Sequence, residues 1–121
     1  MSEVNSYRDL IVWQQAIDLA TAIYRVTRSW PKEELYGLTP QARRAAVSVP
    51  ANIAEGNGRE ARGSYVHFLR ISQGSLKELE THLIIANRAV IADDEQVKSL
   101  LEQCKSVGKL LRLLIRNLSA T

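Results

Sequence analysis

Residues 97–118 read VKSLLEQCKSVGKLLRLLIRNL. At about 100° per residue, Val97, Leu100, Leu101, Cys104, Val107, Leu111, Leu114, Ile115 and Leu118 gather on one side of a helix, with Leu110 and Leu113 on its flank. That period excludes a strand and predicts a helix that buries one face. The same stretch carries a second order. Lys105, Lys109, Arg112 and Arg116 fall within roughly 60° of one another. Like charges that close repel, so the stripe is slightly costly without a partner. Complementing the dipole at a helix C-terminus is one reason for it; holding phosphates is another. Asp93 or Asp94 supplies the N-cap, and the helix spans about 93–118.

The helical pattern extends back through the chain. A third helix spans about 63–89, with Phe68, Ile71, Leu76, Leu79, Leu83 and Ala86 as its core candidates. Gly74-Ser75 lies in its middle, where glycine costs roughly 1 kcal/mol against alanine unless another backbone approaches closely. That predicts a tight crossing with small-residue helix two. Helix two spans about 39–56, opened by Thr39 as N-cap and Pro40 as first helical residue. Pro50 should kink or end it, and Gly56-Asn57-Gly58 stops it. Helix one spans about 10–29, ahead of Pro31. It carries two apolar stripes: Leu10, Trp13, Ile17, Ala20 and Tyr24, and Val12, Ala16, Leu19, Ile23 and Val26. Together they cover an arc of roughly 200°, enough for a core and a second subunit. The connections are short, so successive helices should be antiparallel neighbours. No strand-like alternation, linker or repeat interrupts the pattern. The expected fold is all-α: one antiparallel up-down-up-down four-helix bundle over residues 1–121.

Composition agrees. The chain has 121 residues, 45% of them hydrophobic, with few breakers (Gly 6, Pro 3). Its single cysteine, Cys104, excludes an intrachain disulfide framework and a multi-thiolate zinc site. Met1 to Asp9 is polar and lacks the form of a signal peptide, and no run approaches a membrane span. A cytoplasmic protein with no membrane role is expected. The net charge of +3 is small, but it is unevenly distributed. Residues 1–38 sum to −1, 39–75 to +3, 76–102 to −3 and 103–121 to +4. Arg43, Arg44, Arg59, Arg62 and Arg70 make the second of these segments basic.

Catalytic patterns are absent. A di-iron bundle needs Glu-x-x-His pairs on two helices; this chain has none, and its only histidines are His67 and His82. Glu78 and His82 are four apart and form an ordinary helix-face pair. There is no phosphate-cradling glycine loop and no nucleophile elbow. Neither an enzyme nor a cofactor is expected.

Ser48, Asn52 and Glu55 share one face of helix two, and Ser72, Ser75, Glu78 and His82 one face of helix three. These stripes are either solvated or meet as a hydrogen-bonded seam, within one subunit or between two. In a seam, a buried Glu55 or Glu78 would need an arginine partner.

Three stretches carry a resemblance. They are Tyr36-Gly37-Leu38-Thr39, the run from Arg43-Arg44 through Asn52-Ile53-Ala54-Glu55-Gly56, and Gly74-Ser75-Leu76-Lys77-Glu78-Leu79-Glu80-Thr81. With Leu10-Ile11-Val12-Trp13-Gln14 and Ile23-Tyr24, they resemble the bacterial four-helix bundle proteins encoded by intervening sequences of 23S ribosomal RNA genes. Arg43, Arg44, Asn52, Glu55, Gly56, Gly74, Ser75 and Glu78 are the matching motif positions, assigned to folding and assembly. One departure is Ala89-Val90-Ile91-Ala92, where the family usually has a Leu-Gly-Tyr-Ile type turn. The resemblance implies a homo-oligomer, a pentamer, similar to the accessory variability determinant proteins of diversity-generating retroelements, which bind nucleic acid and a reverse transcriptase. It implies no established activity.

The expectation is a non-catalytic oligomer that binds RNA or other nucleic acid through phosphate contacts. Lys105, Lys109, Arg112 and Arg116 lead the candidates, with Arg59, Arg62 and Arg70 next. No aromatic is interleaved with the stripe, so base stacking is not expected there. The alternative is a protein-interaction scaffold with a partner protein and no nucleic-acid role.

Overall fold

The computed structural model describes residues 6–120; Met1 to Asn5, part of the polar stretch read above as lacking a signal peptide, and Thr121 lie outside the described residues. After a single 3-10 turn at Tyr7–Asp9 come four helices: α1 (Ile11–Thr27), α2 (Leu38–Asn57), α3 (Arg62–Arg88) and α4 (Asp94–Ser119). No strand occurs among the described residues. The helices pack in a ring, α1 on α2, α2 on α3, α3 on α4 and α4 back on α1. Contacts across α2 and α3 run in opposite chain order: Ser48 meets Ser75, Ser72 meets Val49, and Asn57 meets Tyr65. Those two helices are therefore antiparallel. Across α3 and α4 the order is reversed in the same way, with Asn87 on Asp94 and Leu76 against Gly108.

The core follows the three-and-four spacing of buried helix faces. On α3 it is Leu69, Ser72, Leu76, Leu79, Leu83 and Ala86. On α4 it is Val97, Leu100, Cys104, Val107, Leu111 and Ile115. The first two core positions of α3 differ from expectation. Phe68 is half-buried and Ile71 exposed, because Leu69 and Ser72 continue the spacing of the later leucines. Ser72 is fully buried, and its hydroxyl donates to Val49 O at 2.9 Å. A polar residue thus occupies a core slot that its composition disguised.

α2 buries small residues, Ala42, Ala45, Ala46, Val49, Pro50, Ile53 and Gly56, which bring its backbone close to α3. The tight point is Gly56, not Gly74. A Cβ on Gly56 would stand 3.0 Å from Phe68 Cβ and from Tyr65 Cδ1 and O, whereas one on Gly74 would meet nothing within 4 Å. Pro50 does not end α2, which continues to Asn57. Proline in a helix costs about 3 kcal/mol, and the buried face formed by Ala46, Val49 and Ile53 offsets it. Thr39 is not the N-cap of α2. Gly37 holds that place, and the Glu34 carboxylate accepts from Leu38 N–H at 3.0 Å. Asp93 does cap α4, accepting from Gln96 N–H at 3.2 Å.

The apolar arc of α1 divides in two. Val12, Ala16, Leu19, Ala20 and Ile23 are buried, while Trp13 and Ile17 are half-buried and Tyr24 is exposed.

Candidate nucleic-acid interface

The antiparallel order decides where the charge goes. It places the end of α2, the start of α3 and the end of α4 at one pole of the bundle. Arg59, Arg62 and Arg70 of the first basic segment and Arg112 and Arg116 of the last fall in that half of the bundle, while Arg43 and Arg44, at the start of α2 beside Thr27, lie at the opposite pole. Arg70 and Lys77 on α3 and Arg112 on α4 line one groove of about 390 Å³ with Gln73, Gly74, Leu76 and Gly108. Glycines at 74 and 108 leave it open, since neither helix projects a side chain at those points. The open groove, not a close crossing, is what Gly74 provides. Lys77 also reaches Glu80 at 3.2 Å. Lys105 lines the continuation of the α3–α4 seam toward the other pole, where Lys98 is mixed with Asp94 and Glu102. The seam thus runs from basic to mixed charge. Lys105, Lys109, Arg112 and Arg116 are all exposed.

Arg59 and Arg62 flank the α2–α3 connection, both exposed. Arg59 Nη2 donates to Glu55 Oε2 at 2.6 Å. Its guanidinium carbon lies 4.8 Å from the centre of the Phe68 ring, which the His67 ring meets edge-on at 5.5 Å. Sequence reasoning missed these aromatics at the basic pole. His67-Phe68 precede Arg70 by three and two positions, but their approach to Arg59 crosses a turn that helical spacing does not describe.

Of the remaining motif residues, Ser75 and Arg43 tie helices together. Ser48 and Ser75 share a hydrogen bond of 2.7 Å, and Asn52 Nδ2 donates to Ser48 Oγ at 3.0 Å. The seam is therefore formed within one chain at these positions. Glu55 and Glu78 are about half exposed, not buried. Glu55 pairs with Arg59, just past the end of its helix, and Glu78 with His82 at 3.1 Å. Arg43 reaches back to α1, donating to Thr27 Oγ1 at 2.8 Å and covering the Tyr24 ring at 4.7 Å. Arg44 bonds to Gln41 at the surface.

Cys104 is buried in the core, and burial, with the nearby Glu80 charge, pushes its thiol up to about 12. A thiol so placed is a packing residue, not a nucleophile. Among the described residues no three His, Cys, Asp or Glu side chains gather as a metal set. No helix among them is long and apolar enough to cross a membrane.

No curated protein matches the chain. A crystal structure of a protein of unknown function from the S23 ribosomal protein family of Bacteroides thetaiotaomicron VPI-5482 superposes with a TM-score of 0.82. The alignment covers 88% of this chain and 96% of that one at 23% identity, a likeness of fold. The model of the 23S rRNA-intervening sequence protein family matches residues 8–113. With that match over nearly the whole bundle, the chain belongs to the 23S rRNA-intervening sequence protein family.

Proposed function

We propose that the protein is a non-catalytic, cytoplasmic homo-oligomer that binds RNA or other nucleic acid through the basic pole of its bundle. The observation that carries this reading is the groove where Arg70, from one basic segment, meets Arg112, from the other, beside Lys77. Arginine and lysine along an open groove suit phosphates, and phosphate contacts need no base sequence. Assembly strengthens the effect. Five copies of a +3 chain carry about +15, and linked sites bind more tightly than single ones. A pentamer is the family-based expectation. The surface best suited to the contact is the apolar groove between α1 and α2, lined by Trp13, Ile17, Val47, Pro50, Ala51 and Ala54.

Charge reversal tests the site. Lys109→Glu with Arg112→Glu should lower affinity for a structured RNA at least tenfold and leave the melting temperature nearly unchanged, because both side chains are exposed. Unchanged affinity would remove the basic pole as the binding surface.

The α1–α2 groove supports the second reading, a scaffold for a partner protein, since an apolar groove can take a partner's helix. A protein that co-purifies and survives nuclease treatment would favour that reading. Co-purifying RNA that nuclease removes would favour the first.

A further inference from the structure

Arg59 is both held and open. The Phe68 ring lies on one side of its guanidinium at 4.8 Å, and Glu55 Oε2 fixes its edge at 2.6 Å. About half of the side chain, 48%, remains exposed. The support is itself anchored: Phe68 packs at the close crossing with Gly56, and the neighbouring Tyr65 hydroxyl accepts from Asn57 Nδ2 at 3.2 Å. Stability alone does not call for this arrangement, because an exposed ion pair one helical turn apart contributes little. A planar guanidinium backed by an aromatic ring offers its other face as a stacking surface. Unpaired bases in nucleic-acid complexes stack on arginine planes and aromatic rings.

We propose that the α2–α3 corner is a stacking site for one unpaired nucleobase, which lies on the Arg59 guanidinium. The proposal deepens the nucleic-acid reading of the basic pole and rests on it. The base must be unpaired, since within a duplex both faces are covered by neighbours. A purine, with its larger ring, should be favoured. Glu55 is a positioning residue, keeping the guanidinium over Phe68.

The test uses the full-length protein and three labelled RNAs sharing one hairpin. One is blunt, one has a three-purine 3′ overhang, and one has an overhang of abasic spacers. The purine overhang should bind at least about fivefold more tightly than either of the others, the lower edge of what base stacking contributes. Arg59→Lys keeps the charge and removes the plane. This variant should lose the gain and bind the purine and abasic overhangs equally. Equal binding of purine and abasic overhangs by the wild-type protein would overturn the stacking site and leave the phosphate groove standing. Full retention of the gain in Arg59→Lys would also overturn it. Failure of every RNA to bind at low salt would overturn both readings.

Discussion

Val90 occupies the left-handed region, with φ 59°, at the end of α3. A β-branched residue is poorly suited to it. The cause is the helix ending: Ile91 N–H donates to Ala86 O at 2.8 Å and Val90 N–H to Asn87 O at 3.1 Å. These are the paired bonds of a Schellman ending, whose left-handed position normally takes glycine. The sequence marked this place as the departure from the family's Leu-Gly-Tyr-Ile turn, although only the backbone explains why glycine belongs there. Val90→Gly should therefore stabilise the protein by about 1 kcal/mol in urea unfolding, after strain relief and the entropy of glycine are balanced. A lower urea midpoint would refute this account of the turn. Two other glycines separate cleanly. Gly56→Ala forces a Cβ against Phe68 and Tyr65 at 3.0 Å and should destabilise by about 1–3 kcal/mol. Gly74→Ala meets open space and should stabilise by up to about 1 kcal/mol. If both variants melted alike, the placement of the crossing at Gly56 would fail.

At the scale of elements, all four helices were legible because their apolar residues repeat at three and four. The phase of α3 was legible only after Leu76. Before it, Ser72 fills a core slot and Ile71 lies outside, so a count of apolar residues selects the wrong face. The start of α2 was obscured for a related reason. Thr39-Pro40 looks like a cap, but the acceptor that caps the helix is Glu34, which reaches in from the preceding turn. Cys104 was read correctly as core, since it continues the spacing between Leu100 and Val107. Its burial has a measurable consequence. At pH 8 the folded protein should show almost no reaction with a thiol reagent, because the thiol is held near 12 and shielded, and should react fully in 6 M guanidinium. Rapid labelling without denaturant would contradict the packing assigned to α4.

At the scale of the molecule, the overall charge gave little and its placement gave much. Segment sums were visible in the sequence, but their convergence needed the antiparallel order that brings Arg70 to Arg112. The aromatic support for Arg59 was invisible to spacing within one helix. Assembly also belongs to this scale. Ile17→Asp in the apolar groove between α1 and α2 should convert an oligomer into a monomer in light scattering at micromolar concentration. A wild-type protein that is already monomeric would refute self-association through that face.

The central claim is that phosphates are held at the basic pole. Its most direct measurement is the affinity of the wild-type protein for a structured RNA from 50 to 200 mM salt. The four cations of the α4 stripe, Lys105, Lys109, Arg112 and Arg116, alone offer four contacts, so log affinity should fall against log salt with a slope of about −3 or steeper. A flat dependence, or no binding at 50 mM salt, would contradict the account.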